Sequence, residues 1–377
     1  MTTIYILTHK AFTPPPDTLY QPLQVGACLH EDLGYLRDDT GDNISDQNPF
    51  FSELTGHYWI WKNDTESDII GCCHYRRFLI KEDNTLFQEA ELKAMLSHND
   101  IITTKLLTLS HSYYEAFDDR HNKKDLDILG EVLSELQPEY SETYKRIVHS
   151  NRTYFGNMFI MKRERFHHYM EFLFPVLFEV QKRVDMSGYD GYQKRLFGFL
   201  SEVLLYVYTC VNDLKVKEAY VGMVGEKTET KELKEKLSNY FEKKDIAGAK
   251  ACFLSYYEKR PDILMEASDI NHECRLLMQA ISTFEWENST YGYSRLDATT
   301  NTTELITFFA TLNELVTAHR HCGSLEDLKK EHLTLKEQAF LKQYAVTETE
   351  FMIANRILQP ETQSPPQTTP PPWQQGK

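Results

Sequence analysis

The chain has 377 residues, of which 41% are hydrophobic and 12% aromatic, enough for about two domains with buried cores. Its net charge of -15 argues against non-specific binding to nucleic acid or to anionic membranes through the whole surface. Seven scattered cysteines without a CxxC pair indicate reduced thiols rather than a zinc site or a disulfide framework. The first ten residues lack a signal-peptide pattern, and no window reaches about 18 apolar residues, so we expect a cytoplasmic protein without a membrane span.

Short apolar runs and amphipathic segments alternate over the first two thirds of the chain. This alternation is typical of an α/β layer fold. The pattern predicts extended segments at residues 3–8, 24–27, 68–73, 100–104, 152–161 and 219–224, and helices at residues 53–62, 87–95, 125–136, 140–148, 162–184 and 196–211.

The composition changes near Gly225, after which the chain is charged, helical in period and free of strand signals. Helices are predicted at residues 270–285, 303–320, 325–328, 335–344 and 348–357. The last 19 residues hold six of the 14 prolines among Gln, Thr and Ser, a composition typical of disorder. We therefore predict an α/β domain at 1–226, a helical accessory domain at 227–358 and a disordered tail at 359–377.

Three carboxylates, Asp38, Asp39 and Asp42, lie within five residues on a turn that contains Gly41. Such clusters bind hard divalent cations, here Mn²⁺ or Mg²⁺, through their oxygen atoms. They also accept hydrogen bonds from ribose or sugar hydroxyls. Turn formation and helix capping are the alternative, because Asp and Asn serve both purposes in many loops.

The predicted strand at 68–73 runs directly into the basic segment His74-Tyr75-Arg76-Arg77. Strand alternation would place His74 and Arg76 on one face and Tyr75 and Arg77 on the other. One arginine could then clamp a diphosphate with both ends of its guanidinium, while the other forms an ion pair. Two ordinary surface arginines are the alternative.

Two further positions suit a binding site. Gly156 precedes a buried strand, and a glycine there permits close approach of the backbone to a ligand, although a plain turn would also use one.

Glu202 lies in an apolar helix, where a carboxylate costs free energy unless it is paired with a cation or has a function. Desolvation would raise its pKa toward that of a general base. An ion pair with Arg195, two helical turns earlier, is the alternative.

Several common catalytic motifs are missing from the sequence. It contains no P-loop, no GxGxxG and no GxSxG, which weakens kinase, dehydrogenase and hydrolase interpretations. No DxD follows the 68–73 strand, where a metal-using sugar transferase would place one.

Seven segments between residues 3 and 225 together resemble a family of bacterial capsule, exopolysaccharide and O-antigen glycosyltransferases, long labelled only as a domain of unknown function. They are ILTHK, PLQVGA, LRDDTGDNIS, ELTGHYWIWKN, GCCHYRRF, YFGNMFIM and GFLSE. That family is placed in the GT-A superfamily, and some members are assigned galactofuranosyl transfer. The resemblance implies a GT-A-like, Rossmann-like nucleotide-sugar-binding domain, followed here by an all-α region that the resemblance does not cover.

The resemblance also implies residue roles. The segment His74 to Arg77 occupies the place of the usual DxD, so arginines would neutralise the leaving diphosphate, with Mn²⁺ or Mg²⁺ at the aspartates as the alternative. Glu202 occupies the place of the carboxylate base. The donor-binding residues implied are Thr8, His9, Lys10, Asp38, Asp39, Asp42, Asn43, His74, Arg76 and Arg77, and the acceptor-side residues are Gly156, Asn157 and Phe159.

The implied activity is transfer of a sugar, galactofuranose being one candidate, from a UDP-sugar to a lipid-linked or oligosaccharide acceptor, with inversion. We expect a cytoplasmic enzyme with transient contact at the inner membrane face and no nucleic-acid partner; a homo-oligomer is left open. One alternative is a non-catalytic nucleotide- or carbohydrate-binding module with a helical interaction domain. Another is a sugar-phosphate transferase, which would release a nucleoside monophosphate.

Overall fold

A computed structural model describes residues 1–118, 120–264 and 268–358. The chain divides into two compact units, the first spanning Met1–Gly225 and the second beginning at Glu226. The boundary predicted from composition, after residue 226, lies one residue further along the chain. The predicted tail, 359–377, lies outside the described residues. Within the described ranges, no helix combines the length and the apolar character needed to cross a membrane.

The first unit alternates strands with helices. Its described part contains the strands β1 (Thr2–Thr8), β2 (Tyr20–Gln24), β3 (Leu36–Arg37), β4 (Ile69–His74), β5 (Arg77–Ile80), β6 (Ile101–Thr104), β7 (Leu107–Thr108), β8 (Arg152–Thr153), β9 (Phe159–Lys162) and β10 (Val216–Met223). Its helices are α1 (Asn48–Phe51), α2 (Leu54–Asn63), α3 (Glu89–Leu96), α4 (Tyr113–Asp118), α5 (Lys124–Leu136), α6 (Pro138–Val148), α7 (Arg163–Arg183) and α8 (Leu196–Val211).

The main sheet is mixed. Strands β3, β2, β1 and β4 lie side by side and run parallel, β9 runs antiparallel between β4 and β6, and β10 lies parallel to β6. Strand β5 pairs with both β4 and β10 and so closes a ring of five strands. The order 3-2-1-4 is that of doubly wound nucleotide-binding sheets, whose ligands bind at the carboxyl ends where the strand order reverses. Here that point lies between β1 and β4.

Helix α2 packs unusually close to the sheet. A Cβ at Gly56 would lie 2.7 Å from Cδ2 of Leu7 and 2.8 Å from Cγ1 of Val25, so only glycine permits this approach. Both contacted residues lie near the carboxyl ends of β1 and β2. The N-terminal turn of α2 is therefore held beside the edge of the sheet where a ligand is expected.

Two local predictions are wrong. The second extended segment is Tyr20–Gln24 rather than 24–27, because Gly26 adopts the left-handed conformation with φ 61° and the chain turns there. The segment after β4 does not continue as a strand: the chain reverses at Tyr75 and Arg76, and His74 pairs with Arg77 across the hairpin. Because cross-strand partners share a face of the sheet, His74 and Arg77 project to the same side, contrary to the alternation argument.

The second unit is helical over its described residues. Its helices are α9 (Thr228–Glu242), α10 (Ile246–Lys259), α11 (Glu273–Tyr291), α12 (Thr302–Ala318), α13 (Leu325–Leu328), α14 (Leu335–Tyr344) and α15 (Glu348–Leu358). They enclose a core of their own that includes Phe241, Phe284 and Phe309. A buried ion pair joins Arg295, before α12, to Glu350 of α15. The second unit is therefore held together by both a hydrophobic core and a buried ion pair of its own.

Candidate active site

The backbone of Gly156 forms hydrogen bonds to two other predicted site residues, Glu202 and His74. Its N–H donates to Oε1 of Glu202 at 2.7 Å, and its carbonyl oxygen accepts from Nε2 of His74 at 2.6 Å. Gly156 has φ +90°, and a Cβ there would lie 3.3 Å from Nη1 of Arg77. The positive φ favours glycine, because another residue would strain the backbone, and a Cβ would also displace the tip of the arginine by a few tenths of an ångström. The end of β4, the start of β5 and helix α8 thus meet at one residue, Gly156.

Asn157 fixes a carboxylate that the sequence did not single out, Glu53. The Asn157 side chain is 3% exposed. Its Nδ2 donates to Oε1 of Glu53 at 2.8 Å and to the carbonyl of Gly198 at 3.0 Å, and its Oδ1 accepts from Oγ of Ser201 at 3.0 Å. Asn157 and Ser52 both have positive φ values, 49° and 51°. Backbone strain of this kind clusters at functional sites, where surrounding contacts maintain it.

The two carboxylates of this cluster differ in protonation. Burial raises the pKa of Glu202 to about 8; the charge of Glu53 adds to this effect, while the Gly156 N–H, Arg77 and Arg195 oppose it. Burial would also raise the pKa of Glu53, but His74, Arg195 and the Asn157 amide together bring it below its ordinary value. At neutral pH, Glu202 therefore carries a proton and Glu53 a negative charge. Carboxylates whose environments separate their pKa values in this way are typical of acid–base sites.

Both histidines of the cluster are neutral at physiological pH. Burial lowers the pKa of His74 to about 4, and the nearby Arg77 contributes to this shift. Burial likewise lowers the pKa of His57 to about 4. The His57 ring lies 5.2 Å from that of Phe159, and its two nitrogens have no hydrogen-bond partner among the described residues. The segment at the end of β4 is thus less basic than its sequence indicates.

The arginines near Glu202 are differently engaged. Nε of Arg195 donates to Oγ of Ser52 at 3.1 Å. The ion pair between Glu202 and Arg195, the alternative to a base, does not form, and the two interact only at longer range. Arg76 donates to the carbonyl of Gly225. Within the described ranges, the half-buried side chain of Arg77 has neither a hydrogen bond nor an ion pair.

The residues at the end of β1 form a turn beside aromatic rings. Oγ1 of buried Thr8 accepts from the Lys10 N–H at 3.1 Å and donates to the Lys10 carbonyl at 2.6 Å, which fixes the turn. His9 and Lys10 are exposed. The His9 ring meets Tyr75 edge-on at 5.4 Å, and Phe12 lies 6.0 Å from the same tyrosine. Exposed polar groups and aromatic surface therefore adjoin the point where the strand order reverses.

The acidic loop does not fit a divalent cation. Asp38 is fully buried, and its carboxylate accepts from the N–H groups of Gly26 and Ala27, each at 2.9 Å, and from Oγ of Ser45 at 2.6 Å. Asp39 pairs with Arg37 at 2.6 Å, a bond that lowers the pKa of Asp39.

Asp42 accepts from the Tyr58 hydroxyl at 3.2 Å, and Asn43 bonds only within the loop. The three carboxylates thus accept from separate protein donors. The bonds of Asp38 and Asp39 give these two residues a structural role.

Replacing Asp38 by asparagine is expected to lower the free energy of unfolding by about 1–3 kcal/mol, because the new amide cannot accept from all three buried donors. Urea unfolding measures the change. Asp42→Asn, in the same loop but exposed, is the matched control and should change the free energy by less than about 0.5 kcal/mol. Equal unfolding midpoints for the two variants would contradict the structural role of Asp38.

The predicted acceptor-side residues contribute to the polar cluster in different ways: Gly156 through its backbone and Asn157 through its side chain. Phe159 is 1% exposed and packs against Phe166 and Tyr169 in the core, and Asn157 is buried as described above. A cavity of about 440 Å³ lies elsewhere, between α5 and α6. It is lined mainly by surface side chains of these two helices and by none of the residues discussed above, so we place the candidate site at the strand ends.

These features define a mixed α/β protein with a carboxylate–arginine cluster at the carboxyl ends of its parallel strands. Residues 3–213 match the family model described as domain of unknown function DUF4422. The chain belongs to this family.

A solved structure, described as an apo structure of the bifunctional glycosyltransferase WbbM, is similar at 30% sequence identity with a TM-score of 0.55. The match covers 60% of this chain and 45% of that one, so the chain spans less than half the length of that protein. Comparison with curated protein sequences gives no significant match.

Proposed function

We propose that the first unit is a GT-A-like glycosyltransferase domain that transfers a sugar from a nucleotide sugar to a glycan acceptor. The observation that carries the proposal is Glu202, a half-buried carboxylate held by the Gly156 N–H beside Arg77. It lies at the carboxyl edge of a sheet whose first four strands follow the nucleotide-binding order. Similarity to a glycosyltransferase structure supports the same reaction class.

The donor nucleotide would lie where the strand order reverses, between the ends of β1 and β4. The exposed His9 and Lys10 provide polar contacts there, and the rings of Phe12 and Tyr75 provide surface on which a base can stack. We propose a UDP-sugar as the donor, with galactofuranose as one candidate sugar, because some members of the resembled family are assigned its transfer. The acceptor would be a lipid-linked or oligosaccharide glycan of a surface polysaccharide.

The reaction would be a single displacement at the anomeric carbon. The acceptor oxygen forms a bond to that carbon as the bond to the diphosphate oxygen breaks, and the departing diphosphate keeps the electron pair. Ionised Glu202 takes the proton of the acceptor hydroxyl. The guanidinium of Arg77 stabilises the charge that develops on the diphosphate. Inversion follows from attack opposite the leaving group.

The test is release of nucleotide by the purified chain from a panel of nucleotide sugars, including both ring forms of UDP-galactose. Reactions are run with candidate glycan acceptors, with Mn²⁺ and with EDTA, and the products are separated by chromatography. We expect UDP from one donor, with the rate unchanged by EDTA. Release of UMP would indicate a sugar-phosphate transferase. Failure of every donor to bind in calorimetry would overturn the proposed function.

A further inference from the structure

Two guanidiniums face the candidate site from different elements. Arg77 begins β5 and lies beside Gly156, and Arg195 immediately precedes α8. Both act on Glu202 by charge, and both act on His74. The sequence placed Arg195 seven residues before Glu202 and suggested only an ion pair with it.

Much of the hydrogen-bonding capacity of these two side chains is unused. A guanidinium has five N–H donors in a planar fork. In the part of the chain that the structure describes, Arg77 uses none of them and Arg195 uses Nε alone, in its bond to Ser52. No described carboxylate lies within ion-pair distance of either residue. Guanidiniums with this many open donors are well suited to bind an oxyanion.

The charge of the cluster also favours an anion. His57 and His74 are neutral at physiological pH, and Glu202 is protonated. Glu53 is therefore the ionised carboxylate opposite two guanidiniums, which leaves one net positive charge. Arg195 is exposed, so a ligand can reach this charge from solvent.

We infer that Arg77 and Arg195 together form the subsite for the diphosphate of the donor. This inference rests on the proposed function and changes its residue assignment, because Arg195 takes the role that the sequence gave to Arg76. The hairpin explains why Arg76 is not part of the subsite. Arg76 lies in the turn and donates to the carbonyl of Gly225, whereas Arg77 follows the turn and lies beside Gly156.

Calorimetric titration of the full chain with UDP, inorganic pyrophosphate and uridine tests the inference. Arg195→Ala and Arg77→Ala should each weaken UDP binding about 10-fold or more and remove pyrophosphate binding, because each loses charge-assisted hydrogen bonds. Their affinity for uridine should stay that of the parent chain. Arg195→Lys should recover only part of the affinity, because a lysine cannot bind in a fork.

Lys194→Ala removes a neighbouring exposed charge and is the matched control, with UDP affinity expected to remain within about twofold. Circular dichroism verifies that each variant is folded. If UDP binds the parent chain and Arg195→Ala equally well, the subsite is wrong while the proposed function stands. If the parent chain binds neither UDP nor pyrophosphate, both are overturned.

Discussion

Substituting glutamine for Glu202 is expected to lower the rate of sugar transfer by about 10²–10⁴-fold, the usual contribution of a general base. The amide oxygen of glutamine can still accept from the Gly156 N–H, so the local structure should persist. Donor affinity should change little, because in the proposed subsite the arginines rather than Glu202 contact the diphosphate. Initial rates with saturating donor, measured beside UDP titration of the same variant, separate catalysis from binding.

The raised pKa of Glu202 gives this prediction a second readout. Because Glu202 must lose its proton to act as a base, kcat/KM should rise with pH and level off above about pH 8. Since folding raises the pKa, the folded state binds the proton more tightly than the unfolded state. The protonated Glu202 therefore adds to the free energy of unfolding at low pH, and this contribution is lost as the pH rises through about 8.

A glutamine side chain does not titrate, so Glu202→Gln should gain stability relative to the parent chain between about pH 5 and pH 9. Urea unfolding across that range measures the difference without any turnover. A stability difference that stays constant with pH would contradict the assigned protonation of Glu202. Retention of the full transfer rate would instead remove Glu202 as the base.

Replacing Glu350 by alanine should lower the free energy of unfolding of the helical unit by about 3–5 kcal/mol, because it leaves a buried guanidinium without its partner. Glu350 is fully buried and Arg295 is 8% exposed. Arg295 donates to both carboxylate oxygens and also to the carbonyl of Tyr344. The neighbouring Glu287 bonds to the Arg295 backbone N–H, so in this geometry it does not replace the lost pair.

The matched control is Glu285→Ala on α11, which removes an exposed pair with Lys250. Exposed pairs contribute about 0–1 kcal/mol, so the control should unfold at nearly the urea concentration of the parent chain. The unfolding transition of the second unit is the quantity to compare. If the two variants lose similar amounts of stability, the buried pair contributes no more than a surface one.

The sequence was informative where the polarity of one residue differs from that of its neighbours. Glu202 was predicted because an acid in an apolar helix must be paired or used, a cost that does not depend on tertiary detail. The strands β1, β4 and β6 were predicted because buried strands are short apolar runs. The alternation argument failed at His74 to Arg77, because a two-residue hairpin turn leaves no strong signal when neither turn residue is Gly or Asn.

Other parts of the site depend on contacts distant in sequence. Glu53 immediately precedes the helix α2, where an acid is ordinary, and its bond to the cluster comes from Asn157, 104 residues later. Asp38 and Asp42 are equivalent in the sequence, yet one faces inward to Gly26 and Ala27 while the other is exposed. Nothing local distinguishes them, because two of the donors to Asp38 come from a loop 11 or 12 residues earlier.

The bond between His74 and Gly156 determines which ring nitrogen of this histidine carries the proton. A carbonyl oxygen can only accept, so the 2.6 Å contact requires a hydrogen on Nε2. Because the ring is neutral, Nδ1 then bears a lone pair. The carbonyl of Gly156 thereby selects the tautomer of His74, while the N–H of the same residue donates to Glu202. In the sequence, His74 is the first of four basic or aromatic residues. In the structure, its Nδ1 can only accept a hydrogen bond, which suits a hydroxyl rather than a phosphate.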